Sequence, residues 1–289
     1  MMWVLLSLGS ALFSGTAWVL SKGASSADAR GAIALRSLSL LGFTVLFILW
    51  QGSLREFTAV DKLALWSSVG AGVTAAIGLV CFQRLIAGGL GKGAVLEKLS
   101  ILLIALFEWL WFGRKLTMFS LIALVLILAG VLLMMEQKST TIDKGRSFAT
   151  GLLIVGTVTF TAISSVLAKL AVGGTSPAIA LSLRTGVVLL AVMIWLISTR
   201  SLVRVSTIER KNRTLLVLSG FSAGIAWLFY FYALGMGSAS AVHGLDKLNL
   251  LVTTASGRLW FGERYSTKMC VGIAVLVCGI LLWSTASFS

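Results

Sequence analysis

Ten apolar runs of about 20 residues follow one another along the chain, and they restrict its fold more than any other feature. A helix of about 20 residues spans the roughly 30 Å hydrocarbon core of a bilayer, where the backbone must satisfy its own hydrogen bonds. The sequence therefore predicts an all-α integral membrane protein with ten transmembrane helices. These are expected at residues 2–21, 29–50, 61–83, 91–111, 116–135, 149–170, 177–198, 214–235, 241–260 and 266–284.

The composition supports this class and excludes others. Apolar residues make up 58% of the chain and its mean hydropathy is +0.99, which no ordinary soluble domain reaches. The net charge of +14 does not indicate a nucleic-acid partner, because the basic residues lie mostly in short loops between the apolar runs. The three cysteines lie within those runs without metal-binding spacing, so we expect buried, inert thiols and no metal or cofactor. The first run lacks a basic n-region, so we expect a retained span rather than a signal peptide.

The second half of the chain repeats the first at an offset of 149 residues or slightly less. The clearest correspondence is an acid followed by a lysine, Glu97-Lys98 in the fourth run and Asp246-Lys247 in the ninth. We call these pairs the acid–lysine motifs. Because each half contains an odd number of spans, the second half is expected to enter the membrane from the opposite side, as two inverted five-helix repeats.

The repeat and the loop charges predict domains and topology. The repeats are expected at residues 1–135 and 149–289, joined by a cytoplasmic linker at 136–148. The loops after the odd-numbered spans carry 14 basic residues and the opposite side carries five. The positive-inside rule therefore places the linker side in the cytoplasm and both termini outside. We expect a bacterial inner membrane, with the termini in the periplasm.

The acid–lysine motifs lie within apolar runs, where charges cost several kcal/mol unless they are paired or face water. Arg36 and Arg184 lie at matching depths in the second and seventh spans. We expect Arg36 to meet Glu97 and Arg184 to meet Asp246, which leaves the two lysines for a ligand. A purely structural alternative has both pairs fixing the helix register while the lysines extend toward water.

Further candidates for substrate contact lie on the spans that carry or precede the motifs: Ser100, Trp227, Tyr230, His243 and Asn249. His243 is the only histidine and has no counterpart in the first half, so either a gating or proton role or a cavity-lining role is open to it. Trp18 and Tyr232 are cavity candidates as well, being deep in a span or on the span before a motif.

Three charged residues near span ends are given simpler roles. Glu108, beside two tryptophans, is expected at the membrane interface. Lys22 and Lys169 close the first and sixth runs and are expected to anchor those ends at the membrane surface.

Three stretches of the second half carry a resemblance to a known family. They are Gly220 to Gly237 (GFSAGIAWLFYFYALGMG), Ser238 to Asn249, and Leu259 to Arg264 (LWFGER). With the five-helix repeat, they resemble the EamA-type members of the drug/metabolite transporter superfamily. The family often has proline two residues before the acid, where this chain has Val95 and Gly244, so a helix break at the motifs would have to use Gly91, Gly93 or Gly244.

The resemblance implies a secondary transporter that moves a small polar metabolite, often outward, by alternating access. Related phosphate-sugar carriers bind their anion with basic residues on the fourth and ninth helices, where Lys98 and Lys247 stand, so an anionic or zwitterionic substrate is expected. The expected partners are this small molecule, the lipid bilayer and a proton or counter-substrate, with the protein a monomer or homodimer. A proton-coupled exporter of organic cations and a lipid-carrier flippase stay open as alternatives, whereas the sequence holds no enzyme-like constellation.

Overall fold

The computed structural model describes residues 1–24, 29–87, 95–113, 117–135, 144–198 and 208–286. Within these ranges every regular element is helical, which confirms the all-α prediction. The α-helices are α1 Met2–Gly23, α2 Ala29–Gln51, α3 Lys62–Ala87, α4 Ser100–Trp111, α5 Met118–Met135, α6 Lys144–Ala171, α7 Pro177–Ser198, α8 Arg210–Met236, α9 Ala239–Asp246, α10 Asn249–Phe261 and α11 Thr267–Ala286. Two 3₁₀ segments, Ser53–Ala59 and Glu97–Leu99, complete the described elements.

Eight of the described helices are long and apolar enough to cross a membrane. They correspond to every predicted span except the fourth and the ninth, which are interrupted where the acid–lysine motifs lie. In the ninth, α9 ends at Asp246 and α10 begins at Asn249. In the fourth, the 3₁₀ segment Glu97–Leu99 precedes α4. Among the described residues, the fourth and ninth predicted spans are therefore not regular α-helix at the motifs.

The interruption of the ninth span is a tightening of the helix and needs no glycine. The Lys247 N–H donates to the Gly244 carbonyl at 3.0 Å, and the Leu248 N–H donates to the Leu245 carbonyl at 3.0 Å. These bonds reach back three residues, which is the 3₁₀ pattern that often marks a functional hinge. Gly244 itself lies inside α9, so the expected break at Gly244 is wrong, while Gly91 and Gly93 lie outside the described residues.

Helices of one half pack mainly on helices of the other. The most extensive packing joins α1 to α8, its repeat-related pair α6 to α3, and α5 to α11. Each half thus contributes the packing partners of the other, and neither half buries its own apolar faces alone.

The direction of two equivalent helices shows that the repeats are inverted. Along α1, Ser10 contacts Asp246 at the end of α9 and Lys22 contacts Glu263 beyond α10, so α1 runs parallel to α9 and α10. Along α6, Ser165 contacts His243 whereas Lys169, farther along, contacts the carbonyl of Gly237 before α9. Helix α6 therefore runs opposite to α1, as the odd number of spans per half predicts.

Two repeat-related glycines allow neighbouring helices to pack closely against the helices that carry Arg36 and Arg184. A Cβ atom on Gly220 of α8 would lie 2.6 Å from the Arg36 carbonyl oxygen, and one on Gly72 of α3 would lie 2.8 Å from that of Arg184. The two glycines stand 148 residues apart, as the two arginines do. The backbones that carry Arg36 and Arg184 are thus brought into close contact in equivalent ways.

Gly130 permits the close packing of α5 on α11, and its replacement by alanine is expected to destabilise the protein. The new Cβ atom would lie 2.6 Å from the backbone nitrogen of Leu276, so the backbone must move. Overpacking of this kind costs about 1–3 kcal/mol, and we expect a lower melting temperature in detergent. Gly42→Ala in α2 is the matched control, because a Cβ there meets nothing within 4 Å. Equal melting temperatures for the two variants would contradict this account of the α5–α11 contact.

Candidate functional site

The two acid–lysine motifs meet in the interior and form one ionic cluster. The Lys247 Nζ atom lies 2.5 Å from Glu97 Oε1, which joins the two halves of the chain. The Lys98 Nζ atom lies 3.6 Å from Glu97 Oε2 and donates to Asn249 Oδ1 at 3.5 Å. One carboxylate of the first half therefore lies between two lysines, one from each half.

This arrangement differs from the expected arginine–acid pairing. The carboxylate of Asp246 accepts a hydrogen bond from Ser10 Oγ at 2.6 Å, and Glu97 pairs with lysine. Among the described residues, neither Arg36 nor Arg184 forms an ion pair with a carboxylate. Matching depth along two helices does not fix the direction in which their side chains point, and the expected pairing rested on depth alone.

Each arginine instead stacks on a tryptophan. The guanidinium carbon of Arg36 lies 5.5 Å from the ring centre of Trp18, and that of Arg184 lies 4.1 Å from the ring centre of Trp227. Arg184 Nε also donates to Ser164 Oγ at 3.5 Å. These are cation–π contacts, which hold the cation without neutralising its charge.

His243 connects α9 to three other helices through its ring nitrogens. Its Nε2 atom lies 2.9 Å from Ser100 Oγ, and its Nδ1 atom lies 3.2 Å from Tyr230 Oη and 3.3 Å from Ser165 Oγ. Hydroxyl groups both donate and accept, so this set can satisfy either tautomer of the ring. With 4% of its surface exposed, His243 is packed rather than lining open space in this conformation.

Burial divides the candidate residues into two groups. The buried group consists of Lys98, Ser100, Tyr230, His243, Lys247 and Asn249. The half-buried group consists of Arg36, Glu97, Arg184, Trp227 and Asp246. Charged residues inside a membrane protein face the bundle interior or a water-filled space, so the half-buried group marks where solvent or a solute can approach the cluster.

Glu108, which was expected at the membrane interface, is buried by the protein, with 4% of its surface exposed. Its Oε1 atom accepts a hydrogen bond from the Ala239 N–H at 2.5 Å, and its Oε2 atom accepts one from the Ser240 hydroxyl. A carboxylate from the first half thus caps the N-terminus of α9, where the helix dipole favours negative charge. The start of α9 could not be placed from the apolar pattern, so the sequence reasoning missed this role.

Lys169 holds the same turn from the other side. Its Nζ atom donates to the carbonyl oxygens of Leu234 at 2.5 Å and Gly237 at 2.9 Å, at the C-terminal end of α8. A cation at a helix C-terminus is favourable for the same reason that an anion is at an N-terminus. The turn between α8 and α9 is therefore clamped by opposite charges from α6 and α4, and Lys169 is not simply a surface anchor.

At the far end of α10, Lys22 forms an ion pair with Glu263, and the Tyr265 hydroxyl donates to Glu263 Oε2 at 2.5 Å. The hydrogen bonds from Lys22 and Tyr265 lower the pKa of the Glu263 carboxyl below its usual range. Both partners of the ion pair are well exposed, with 44% and 39% of their side-chain surfaces accessible. Glu263 lies beyond the end of α10, and Lys22 lies in the last turn of α1.

The Lys22–Glu263 contact is expected to stabilise the protein weakly and only above the lowered pKa of Glu263. Because folding lowers this pKa, the stabilisation is complete above the usual carboxyl range and disappears as the pH falls through the lowered value. Glu263→Gln should lower the melting temperature by roughly 1–3 °C at neutral pH, since exposed pairs contribute little. The difference from the parent protein should vanish in acid, and a difference that grows in acid would contradict this assignment.

Comparison with known proteins relates both halves of the chain to one family. Residues 1–136 and residues 149–285 each match the EamA-like transporter family. The chain is 33% identical over 123 residues to an uncharacterized transporter in the cobO 3′ region of Sinorhizobium sp, covering 43% of this chain and 87% of that protein. It is 27% identical over 190 residues to the uncharacterized transporter YvbV of Bacillus subtilis (strain 168), covering 64% of this chain and 60% of that protein.

The fold also has a counterpart among solved structures. One crystal structure superposes with a TM-score of 0.80 over 98% of both chains, at 13% sequence identity. At that identity the likeness concerns the fold alone, and it covers the whole architecture described above.

Proposed function

The chain belongs to the EamA-like transporter family, and from that premise we propose that it is a secondary active transporter of a small anionic or zwitterionic metabolite. We further propose that it works by alternating access and that it exports its solute, the direction that the resemblance to drug/metabolite transporters favours. The proposed solute site consists of the ionic cluster of the acid–lysine motifs and of the two arginines that flank it, and below we call these six side chains together the charged site.

The charge balance of the charged site carries the proposal. Four basic side chains, Arg36, Lys98, Arg184 and Lys247, stand with two carboxylates, Glu97 and Asp246, so four positive minus two negative charges leaves two in excess. Neither arginine has a carboxylate partner among the described residues. Unbalanced charge inside a membrane is costly, and an anionic solute offsets it.

The contacts suggest how binding changes the cluster. A solute carboxylate or phosphate near Lys247 competes with Glu97 for the same ammonium group, since Lys247 Nζ is the atom that joins the halves. The amino group of a zwitterion can pair with Glu97 or Asp246 when they are released. Because the motifs lie where the fourth and ninth spans are interrupted, a change of partner acts at the least regular backbone of the membrane interior, as in other inverted-repeat transporters.

One observation supports a second candidate, a proton-coupled exporter of organic cations. The Asp246 carboxylate accepts a hydrogen bond from the Ser10 hydroxyl and forms no ion pair with a lysine or arginine among the residues described. A half-buried carboxylate of this kind can take up a proton or a cationic solute. In this reading Asp246 and Glu97 are essential and the lysines are dispensable.

A thermal-shift screen of the purified protein against metabolite pools at two pH values separates the candidates. A ligand that binds the native state raises the melting temperature. At a ligand concentration of 100 times its dissociation constant, the free energy of unfolding increases by about 2.7 kcal/mol. We expect anionic or zwitterionic metabolites to stabilise the protein and Lys98→Gln to remove the effect. Stabilisation by organic cations, retained in Lys98→Gln and lost in Asp246→Asn, would replace the leading proposal with the second candidate.

A further inference from the structure

The two arginines lie on opposite sides of the Glu97–Lys247 pair along the membrane normal, and contacts along α1 place the first of them. Ser10 of α1 contacts Asp246, which marks the level of the cluster. Trp18, on which Arg36 stacks, lies eight residues farther along α1, or about 12 Å at 1.5 Å per residue. Arg36 is therefore displaced from the cluster toward Lys22 and the end of α10.

Contacts along α6 place the second arginine in the other direction. Arg184 donates to Ser164, and the neighbouring Ser165 contacts His243. His243 precedes Asp246 by three residues in α9, or about 4.5 Å of helix, toward the turn between α8 and α9. Arg184 is therefore displaced from the cluster toward the end at which Lys169 and Glu108 clamp that turn.

Each arginine is built into its position in the same way. A tryptophan covers one face of the guanidinium, and a glycine of a neighbouring helix contacts the backbone of the arginine itself, Gly220 for Arg36 and Gly72 for Arg184. A stacked guanidinium keeps its N–H edge available for a planar oxyanion. Both arginines are half-buried, so part of each side chain is exposed.

We propose that Arg36 and Arg184 form two separate oxyanion-binding positions, one on each side of the central ion pair, each serving the solute in one access state. This inference rests on the proposed function, because it assigns successive positions to the same anionic solute. The carboxylate of the solute binds Arg184 when the path opens toward the α8–α9 turn and Arg36 when it opens toward the end of α10. The Glu97–Lys247 pair separates the two positions.

The aromatic surroundings indicate the body of the solute as well as its charge. Trp227 packs edge-on against Tyr230 with ring centres 5.2 Å apart, and Trp18 packs edge-on against Phe82 with ring centres 6.0 Å apart. An oxyanion carried on a small organic body therefore finds apolar surface beside each guanidinium, which inorganic phosphate cannot use. The expected class is an organic carboxylate or sulfonate.

Charge-selective cysteine labelling tests the two positions without knowledge of the natural solute. In a background with Cys81, Cys270 and Cys278 replaced by alanine, Ser164→Cys reports on the Arg184 position and Phe82→Cys on the Arg36 position. The probes are sulfonatoethyl methanethiosulfonate, an organic anion, and its trimethylammonium analogue. We expect the anion to react about tenfold faster than the cation at both cysteines, because a unit positive charge attracts it.

Matched variants decide whether the arginines cause the preference. Arg184→Gln should bring the ratio of anionic to cationic labelling rates close to one at Ser164→Cys and leave this ratio unchanged at Phe82→Cys. Arg36→Gln should bring the ratio close to one at Phe82→Cys and leave it unchanged at Ser164→Cys. Arg184→Lys should keep the preference. Excess inorganic phosphate should slow labelling less than excess benzoate does.

Three results would overturn the inference: equal rates for the two probes, no reaction with either probe, or a preference that both glutamine variants leave unchanged. These failures differ from failure of the proposed function. Transport of an anionic metabolite without charge-selective labelling would disprove the two oxyanion-binding positions but not the proposed function. Charge-selective labelling in a protein that transports only organic cations would support the two oxyanion-binding positions but disprove the proposed anionic solute.

Discussion

Replacing Lys247 by glutamine is expected to abolish transport, lowering its initial rate by about 100-fold or more, because its ammonium group joins the Glu97 carboxylate of the first half to the second half. The same change should destabilise the protein. Removing one partner of a buried ion pair leaves the other charge uncompensated, at a cost of about 3–5 kcal/mol. Loss of activity in this single variant therefore has two possible causes.

The double variant Glu97→Gln/Lys247→Gln separates those causes. It removes both charges of the bridge while keeping side chains of similar size, so the uncompensated charge disappears and the melting temperature should return close to that of the parent protein. Transport should stay abolished, because neither a solute anion nor a proton can exchange with an amide pair. Melting temperature in detergent and counterflow in proteoliposomes, with the metabolite that gives the largest thermal shift, measure the two effects.

Lys22→Gln provides the matched control for loss of a lysine that pairs with a carboxylate. Its partner Glu263 lies beyond the end of α10, and the side chains of both residues are well exposed. We expect a change of less than about 1 kcal/mol in stability and little change in transport rate. Normal transport by the double variant Glu97→Gln/Lys247→Gln would show that transport does not depend on the Glu97–Lys247 ion pair.

The helical architecture could be predicted because it depends on properties that a sequence states directly. Length and hydropathy of each apolar run define a span, and the recurrence of Glu97-Lys98 as Asp246-Lys247 defines the repeat. The structure buries both lysines of the motifs inside the protein. Topology relative to the cytoplasm stays a prediction, because it rests on loop charge alone.

The partners of the charged residues could not be predicted, for a geometric reason. Depth along a helix axis follows from 1.5 Å per residue, but the direction of a side chain depends on the rotation and neighbours of the whole helix. Arg36 and Glu97 were expected at the same depth, yet Arg36 lies beside Trp18, displaced along the membrane normal, and Glu97 pairs with Lys247. Adjacent residues of an α-helix point about 100° apart, yet the Lys98 Nζ atom lies 3.6 Å from Glu97 Oε2, because two long side chains can still reach each other.

Glu108 illustrates a second limit of the sequence reasoning. Its partners are the Ala239 N–H and the Ser240 hydroxyl, which become available because α9 begins there after the turn from α8. Apolar periodicity predicted one span over 241–260 and placed its start two residues too late. A buried carboxylate that caps a helix of the other half was therefore interpreted as a residue of the membrane interface.

Replacing Glu108 by leucine is expected to lower stability strongly and to loosen the turn between α8 and α9. The leucine leaves the Ala239 N–H and the Ser240 hydroxyl without the carboxylate that accepts their hydrogen bonds, at a cost of about 1–3 kcal/mol for each group. Glu108→Gln is the matched control, because its amide oxygen still accepts one of the two bonds at similar volume. Hydrogen exchange of residues 234–240 and melting temperature in detergent measure the effect.

The same change should alter the access equilibrium, because α4 and α9 belong to different halves and must separate if the path opens at this end. The ion pair of Lys22 and Glu263 at the opposite end is exposed, whereas Glu108 is buried with 4% of its surface accessible. Loss of the buried cap therefore weakens one end selectively, and Ser164→Cys, which lies on that side of the cluster, should be labelled faster in the Glu108→Leu background than in the Glu108→Gln background. Phe82→Cys, toward the other end, should be labelled more slowly or at the same rate, and equal acceleration at both cysteines would indicate general unfolding rather than opening of one end.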